Sequence, residues 1–373
     1  MKCICGQKDL REALNIAAKA LPANAQTPIL NGIYILAANG MLEVHATDFS
    51  NGIISKLPAE IEAEGAIVVN GKDITEIISR LSGGIVTIST EDEDSIATFV
   101  SDGTKFSLYT MDAEEYPRIT MNDLDKKFYI KNQALKKLIS NTTFACADEK
   151  TGAPVFQGCS ITIDGEEINF VATNTHRLIV VKDYIEYSID SSPINVIVPS
   201  KSLNKVLGIL NEIRDERGVK VDFSDKQIAF TINQYYIICR LIDGTFPAHD
   251  KVIPESSRTN ANIKIKDFNA AVSRVEIISR QTEYNTVIMK FDNDNLELKA
   301  DSYATGKVVD HLDAMVEGPA VEIAFNIRYI KEFLKIADES KVVFIGLNDN
   351  LSPVEFKIAD EPNLIYVVTP VRT

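Results

Sequence analysis

Residue types and motifs on which many enzymes depend are scarce or missing in this 373-residue sequence. It has no tryptophan and only four histidines, His45, His176, His249 and His311. The patterns GxSxG, GxxxxGK(S/T), HExxH and GxGxxG do not occur. The sequence therefore lacks the signals for a nucleophile elbow, a phosphate-binding loop, a zinc-protease helix and a dinucleotide-binding turn. We expect no catalytic activity and no cofactor.

Cysteine is sparse and irregularly spaced. The five cysteines are Cys3, Cys5, Cys146, Cys159 and Cys239, and no CxxC pair occurs. An odd, scattered set is typical of a reduced, cytoplasmic protein in which cysteine serves as a small core residue. We therefore expect reduced thiols and no metal site.

Long apolar runs are also lacking. No stretch approaches the roughly 18 apolar residues of a membrane-spanning helix, and the start, MKCICGQKDL, has no apolar core of a signal peptide. The apolar fraction is nevertheless 45%, enough for a soluble globular protein. A chain of this length suggests two or three domains. We expect it to stay in the cytoplasm.

Positive charge is in deficit. The net charge is −14 and the isoelectric point is about 4.9. Taken alone, this argues against nucleic acid binding, because phosphate contacts need a cationic surface. The conclusion depends on where the charges lie along the chain.

What the chain does contain is a threefold repeat. A helical stretch, the segment Pro28–Gly32, a strand, a turn and a strand ending at Thr47 return 126 residues later, with Pro154–Gly158 and a strand ending at Thr173. A fainter third copy ends its strand at Asp301. Each unit continues with a strand, a second helix and about three strands. The predicted domains are residues 1–124, 125–254 and 255–373, with turn-rich boundaries, and we interpret Glu91–Asp94 as a solvated hairpin tip.

The positive charge is concentrated in the six predicted helices, residues 7–20, 72–82, 131–140, 201–211, 266–279 and 327–337. They carry a net charge of +8, which leaves −22 for the rest of the chain. Lysine and arginine favour helices in general, but glutamate favours them as much and is sparse here. Helices that share one face would attract a polyanion on that side only.

With this repeat and this charge distribution, the sequence resembles the bacterial DNA polymerase III beta subunit family of replication sliding clamps. Each marker is weak alone, but together they occur in order along residues 1–373. They are Thr27–Leu30 (TPIL), Ala46–Asp48 (ATD), Phe106–Leu108 (FSL), Ala172–Leu178 (ATNTHRL), Phe246-Pro247, Val252–Pro254 (VIP), Phe325-Asn326 and Val368–Thr373 (VTPVRT).

The resemblance implies an α+β clamp fold of three repeated domains, each with two helices backed by antiparallel sheets. Two chains would form a homodimeric ring around duplex DNA, with Phe106 and Leu108 of one chain near Ile277 and Ile278 of the other. Cations on the helices would hold the DNA weakly enough to slide: Lys8, Arg11, Lys72, Arg80, Lys136, Lys137, Lys201, Lys205, Arg274, Lys331 and Lys335.

The resemblance also implies a pocket for partner peptides between the second and third domains. Its users would be the replicative DNA polymerase, the clamp loader and other replication and repair proteins. The matching positions combine an apolar trough with polar anchors: Thr173, Thr175, His176, Arg177, Leu178, Pro247, Val252, Asn326, Tyr329, Val367, Thr369, Pro370, Val371 and Arg372. Family members often differ at four positions, Ala153, Thr175, Thr369 and Thr373, so partner preference can differ. The stretch Ala23–Gln26 also lacks an arginine that members often direct at DNA.

Two other interpretations stay open at this point. Without the resemblance, His176 and Arg177 are better explained as residues of a satisfied turn that holds a hairpin. For the whole chain, the alternative is a non-catalytic repeat scaffold that binds peptides without encircling DNA.

Overall fold

The computed structural model describes residues 1–90, 95–119, 124, 126–150, 152–188, 193–213 and 218–372. The predicted hairpin tip at Glu91–Asp94, part of the boundary at Asp123–Lys126 and Thr373 lie outside these residues. Contacts divide the chain into two compact units. The first unit comprises Met1–Lys136, Ile185–Ser191 and Lys201–Leu241, and the second comprises Lys137–Tyr184, Ser192–Ser200 and Ile242–Thr373.

Six helices lie where the apolar periodicity predicts them. In the first helix, Leu10, Leu14 and Ala17 recur at helical spacing and are fully buried. The described helices are α1 (Gln7–Ala18), α2 (Gly71–Arg80), α3 (Asn132–Thr142), α4 (Ser200–Glu212), α5 (Ile265–Ser279) and α6 (Ile327–Leu334). No helix in the described residues is both long and apolar enough to cross a membrane.

The strands carry the alternating burial of sheets with one solvated face, as in β19, where every second residue is buried. In chain order they are β1 (Lys2–Gly6), β2 (Gly32–Ala38), β3 (Met41–Thr47), β4 (Asn51–Ala63), β5 (Gly65–Asn70), β6 (Ile85–Thr90), β7 (Ile96–Ser101), β8 (Thr104–Met111), β9 (Lys126–Ile130), β10 (Gly158–Asp164), β11 (Glu167–Thr173), β12 (Arg177–Tyr184), β13 (Tyr187–Ser188), β14 (Ile194–Pro199), β15 (Val219–Phe223), β16 (Gln227–Ile232), β17 (Tyr235–Arg240), β18 (Thr259–Lys264), β19 (Thr286–Asp292), β20 (Asn295–Ser302), β21 (Gly306–Asp313), β22 (Met315–Glu317), β23 (Val321–Asn326), β24 (Val342–Leu347), β25 (Val354–Ile358) and β26 (Leu364–Val368).

The first unit contains a 13-stranded antiparallel sheet in the order β1-β6-β7-β8-β5-β2-β3-β4-β17-β16-β15-β9-β13. Its longest strand, β4, pairs with β17 through Asn51–Ser55 and with β1 through its last residues. Because β1 also pairs with β6, the eight strands of residues 1–111 close on themselves.

The second unit contains a nine-stranded sheet, β14-β10-β11-β12-β26-β25-β24-β18-β22, and a four-stranded sheet, β21-β20-β19-β23. The pairing of β12 with β26 aligns Arg177 with Val368 and Leu178 with Val367. This register joins residues nearly 200 positions apart in sequence and places the two predicted site segments side by side.

The repeat is visible in the elements themselves. Equivalent strands β3, β11 and β20 end at Thr47, Thr173 and Ser302. The segments that begin at Pro28 and Pro154 both form short 3₁₀ turns before a strand. The predicted α+β architecture of helices and antiparallel sheets is confirmed.

Candidate partner-binding site

The site is built around the tight turn between β11 and β12. The Asn174 side-chain oxygen accepts hydrogen bonds from the backbone N–H groups of His176 and Arg177, both at 3.1 Å. The Thr173 hydroxyl donates to the Arg177 carbonyl at 2.6 Å and accepts from the Thr175 N–H at 3.0 Å. Within the turn the backbone groups have no partner on a neighbouring strand, and these side-chain hydrogen bonds satisfy them instead. The turn is therefore held by Thr173 and Asn174.

Thr175 adopts φ of +75° in this turn. That region favours glycine and is strained for a β-branched residue. Glycine is the residue that the family resemblance makes common at this position, so the departure at Thr175 places backbone strain at the rim of the site.

An apolar pocket of about 160 Å³ lies beside the turn. Leu178 and Val367 form its floor and are 3% and 1% exposed, and the rings of Phe156 and Phe246 meet edge to face with centroids 6.1 Å apart. Burial lowers the pKa of His249 on the wall, which favours the neutral ring. The lining residues are Phe156, Thr173, Thr175, Arg177, Leu178, Phe246, Pro247, Ala248, His249, Val252, Val367 and Thr369.

A wider polar groove of about 640 Å³ borders the same turn. Its lining is mixed in charge: Phe144, Cys146, Ala147, Asp148, Gly152, Asn174, Thr175, His176, Arg177, Arg328, Tyr329, Glu332, Lys335 and Ile336. Thr175 and Arg177 line both the pocket and the groove, and Arg177 is the charged residue that the two share.

Arg177 is only 6% exposed, and its charge is compensated from several directions. One guanidinium nitrogen pairs with Glu332 and another donates to the Phe144 carbonyl. The guanidinium carbon lies 4.6 Å from the Tyr329 ring centroid and 5.3 Å from that of Phe144, within cation–π range. Among described atoms, its Nε has no hydrogen-bond partner.

Glu332 is the carboxylate that balances this cation. Burial raises its pKa, but the charges and hydrogen bonds of Arg177 and Arg328 outweigh burial, so the net pKa is below its usual value. The group is therefore ionised at neutral pH and fixes the position of Arg177.

The C-terminal segment takes a different course from the pocket. The Val371 N–H donates to the Ala324 carbonyl of β23 at 2.8 Å. Val371 and Arg372 line a separate cavity of about 550 Å³ over the four-stranded sheet, together with Tyr284, Ile288 and other residues. We call this the tail cavity.

The predicted pocket residues are thus divided among three regions. The apolar pocket brings together eight of the fourteen, the polar groove adds His176 and Tyr329, and the tail cavity adds Val371 and Arg372. Asn326 and Pro370 line none of the three, and Asn326 instead accepts a hydrogen bond from the Arg328 N–H at 3.0 Å as the N-cap of α6. Their role in partner binding stays a prediction.

Sequence reasoning missed several lining residues, including Phe144, Phe156, Phe246 and Glu332. Phe246 stands beside the predicted Pro247, and that adjacency was a usable signal. Glu332 lies 155 residues from Arg177, and no local pattern marks such a pair.

The eleven predicted DNA-facing cations differ in how free their charges are. Among the residues that the structure describes, five have carboxylate partners: Arg80 with Glu76, Lys137 with Glu361, Lys205 with Asp48, Arg274 with Asp310, and Lys331 with Glu276. Lys8, Arg11, Lys72, Lys136 and Lys335 form no ion pair with a residue that the structure describes. The field of the helices therefore depends mainly on the second group.

The predicted subunit-contact residues are available to solvent to different degrees. Phe106 on β8 is 37% exposed and Ile277 on α5 is 58% exposed, whereas Leu108 and Ile278 are half-buried. Exposed apolar side chains of this size are suited to an interface, but their role stays a prediction.

Comparison with known families covers almost the whole chain. Models of the DNA polymerase III beta subunit match in order, the N-terminal domain at residues 1–120, the central domain at 129–248 and the C-terminal domain at 250–372. Two proteins named beta sliding clamp are similar. That of Synechococcus elongatus is 27% identical over 376 residues, covering 100% of this chain and 99% of its own. That of Bacillus subtilis is 28% identical over 381 residues, covering 98% of each.

Solved structures agree with the sequence matches. The DNA polymerase sliding clamp of Bacillus subtilis has a TM-score of 0.94 at 26% identity and covers 100% of this chain and 99% of its own. The DNA polymerase III beta subunit of Thermotoga maritima has a TM-score of 0.91 at 25% identity with the same coverage. The clamp fold of three repeated domains is confirmed.

Proposed function

The chain belongs to the DNA polymerase III beta subunit family, and on that premise we propose that two copies close into a ring around duplex DNA. The ring is a sliding clamp that tethers the replicative DNA polymerase for processive synthesis. The observation that carries the proposal is the match of all three family domains in order along one chain. An accessory subunit of this kind works by topology and has no catalytic role of its own, and its place is the cytoplasm, with the DNA.

Two open strand edges support closure into a ring. From Thr104 to Tyr109, β8 hydrogen-bonds to β7 alone among described strands, and only its last residues pair with β5. The outer strand β21 likewise pairs with β20 alone. Unpaired edges favour addition of another strand. In the proposed dimer, β8 of one copy meets β21 of the other, with Phe106, Leu108, Ile277 and Ile278 close to the contact.

The charge distribution is consistent with a ring that slides along DNA and does not bind it tightly. Phosphate contacts make affinity steeply salt-dependent and hold a protein in place, whereas a ring stays on DNA without them. The unpaired helix cations supply weak attraction, and the acidic remainder of the chain repels DNA elsewhere.

The apolar pocket and the polar groove are the proposed docking site for the polymerase, the clamp loader and other replication and repair partners. A deep apolar floor beside fixed polar groups is suited to short peptides with apolar side chains. Leu178 and Val367 receive the apolar side chains, and Arg177 is the polar anchor beside them.

The test is retention of the clamp on DNA of different topology. The protein is loaded onto nicked circular DNA by the clamp loader, free protein is removed, and half of the circles are cut once. A ring stays on the intact circle and slides off the linear form, while protein added without the loader gives the background. Equal retention on both forms would exclude encirclement and favour the alternative of a peptide-binding scaffold.

A further inference from the structure

Two thiols from different elements meet at the wall of the polar groove. Cys146 follows the 3₁₀ turn Thr143–Ala145 and is partly exposed, whereas Cys159 lies on β10 and is fully buried. Their sulfur atoms are 3.7 Å apart, and both cysteines are free thiols. Sulfur atoms in a disulfide lie about 2.05 Å apart. The distance between the two sulfurs must therefore shorten from 3.7 Å to that value for a disulfide to form.

The segment that carries Cys146 is less constrained than the strand that carries Cys159, because it lies outside the sheet. Cys159 is in a strand paired on both sides, opposite Val198 of β14 and next to Ser160, which pairs with Val171 of β11. Beyond its turn, Cys146 is followed by irregular chain, tied to the 3₁₀ turn at Phe156 by the Ala147 N–H at 2.8 Å. A small shift of this loop toward β10 closes the distance without breaking the sheet.

We propose that Cys146 and Cys159 form a peroxide-sensitive thiol pair, in which oxidation produces a reversible disulfide that fixes one wall of the polar groove. Hydrogen peroxide converts the accessible Cys146 thiol to a sulfenic acid and is reduced to water. The Cys159 sulfur then attacks the Cys146 sulfur, the S–O bond breaks, and the hydroxide leaves as a second water with the Cys159 proton. In sum, two thiols lose two electrons and two protons, and one peroxide is reduced to two waters.

The division of roles follows from burial. Burial raises the pKa of the Cys159 thiol well above its usual value, and contact with Cys146 raises it further. Cys159 therefore resists direct oxidation, and its proximity to Cys146 is what allows it to react. Cys146 faces the groove, where peroxide has access.

The groove is coupled to this pair through neighbouring residues. Cys146, Ala147, Asp148 and Gly152 all line it, and the carbonyl of nearby Phe144 accepts a hydrogen bond from Arg177. Drawing the loop toward β10 therefore alters the surroundings of Arg177. The effect on partner peptides rests on the proposed function of the groove, whereas formation of the disulfide does not.

Peptide mapping of the full chain tests the bond directly. Reduced protein is treated with hydrogen peroxide, quenched, unfolded, alkylated with a maleimide and digested with trypsin. The two cysteines fall on separate tryptic peptides, residues 138–150 and 151–177, so the disulfide joins them. We expect a linked pair released by dithiothreitol, a loss of about 2 Da in intact mass for the two hydrogens, and two fewer alkylated thiols.

Variants separate this pair from the other cysteines. Cys146→Ser and Cys159→Ala should abolish the linked peptide, and Cys239→Ser is the matched control that should retain it, because Cys239 is buried elsewhere, in the first unit. One result in the wild type would overturn the proposal: peroxide oxidises Cys146 to sulfinic acid while Cys159 remains a free thiol, which the maleimide then alkylates.

Peptide affinity tests the coupling to the groove. Oxidation should change the affinity of a partner peptide severalfold in the wild type and not in Cys159→Ala. A linked disulfide with unchanged affinity would overturn the coupling alone. Failure of the reduced protein to bind any partner peptide would instead count against the proposed docking site.

Discussion

Arg177 shows how a buried cation can organise a binding site. Its guanidinium contacts Glu332, a backbone carbonyl and two aromatic rings, which together offset the loss of hydration. Removal of one partner leaves an uncompensated charge, which costs more than the pair itself stabilises. The same residue borders the pocket and the groove, so its partners influence both.

Glu332→Gln should destabilise the protein in a pH-dependent way. The folded pKa of Glu332 is below its usual value, so its contribution is fully present above the unfolded carboxyl pKa of about 4.3 and is lost as the pH falls through the folded pKa. We expect a loss of about 2 kcal/mol at pH 7, as for a hydrogen bond between charged groups, or roughly 3 °C in the unfolding midpoint of a chain of this length. Calorimetry at pH 7 and below pH 4 should show the difference shrinking. A constant difference across that range would refute the ionised pair as its source.

Val252→Asp should weaken binding of a short apolar peptide to the pocket. Val252 is 41% exposed at the rim, so the change leaves the core intact but places a carboxylate where a peptide side chain would desolvate it. We expect at least about a tenfold rise in Kd, measured by fluorescence anisotropy. Ile85→Asp is the matched control, because Ile85 is 62% exposed on β6 and belongs to none of the three cavities. Similar Kd values for the two variants would argue against the pocket.

Residues of the site differ in how far the sequence could predict them. The polar run Thr173–Arg177 between apolar segments predicts a turn from local chemistry, and the structure supplies the bonds that hold it. The position of Val367 beside Leu178 depends on the register of two strands far apart in sequence. No local sequence pattern predicts that register, so the prediction of Val367 as a site residue rested on the family resemblance. The ion pair of Arg177 with Glu332 depends on how α6 packs, and neither the local sequence pattern nor the family resemblance predicted it.

At the scale of elements, the repeat made the fold predictable. Helices follow apolar periodicity, and the strands and turns recur at a nearly constant interval, so the types and order of the repeated elements were predicted, whereas the short strands β13 and β22 were not. Other differences lie at the ends. We predicted the last helix through Ala337, but α6 ends at Leu334, because the N–H groups of Ile336 and Ala337 bond three residues back in a tighter turn.

Phe106→Asp combined with Ile277→Asp should convert the proposed dimer to monomers. The two residues are 37% and 58% exposed, so the monomer should fold, while the dimer would bury two unpaired carboxylates per contact. Sedimentation velocity at micromolar concentration should give the mass of one chain. Ile85→Asp combined with Met315→Asp, also at exposed apolar positions, should stay dimeric. A dimer mass for the first variant would reject these contact residues.

At the scale of the whole molecule, the negative net charge argues against the proposed function on DNA unless the positions of the charges are considered. The chain carries −14, yet cations that form no ion pair with described residues lie on helices, as at Lys8 and Lys72. Composition alone predicts a protein that avoids DNA, and the distribution predicts one that attracts it weakly at one surface. This separation is visible in the sequence, whereas the ion pairs between described residues that neutralise cations such as Lys205 and Arg274 required the structure.

Reversal of the unpaired helix cations should impair loading onto DNA at low salt. In the variant Lys8→Glu, Arg11→Glu, Lys72→Glu and Lys136→Glu, the surface proposed to face DNA becomes repulsive. A matched control reverses four cations outside the helices that likewise form no ion pair with a described residue: Lys126, Lys226, Arg240 and Arg258. Both variants change the net charge by the same amount, so a difference between them reports position and not total charge.

We expect the helix variant to load severalfold less well than the control near 0.1 M salt, where charges interact over about 10 Å. The two should converge near 1 M, where the screening length falls to about 3 Å. Loading is measured as protein retained per nicked circle after free protein is removed. Once loaded, both variants should persist equally on the circle, because topology and not affinity retains a ring.

Two outcomes would contradict this prediction. Equal loading of the two variants at low salt would show that these helix cations do not face DNA. Faster loss of the helix variant from intact circles would show that affinity contributes to retention.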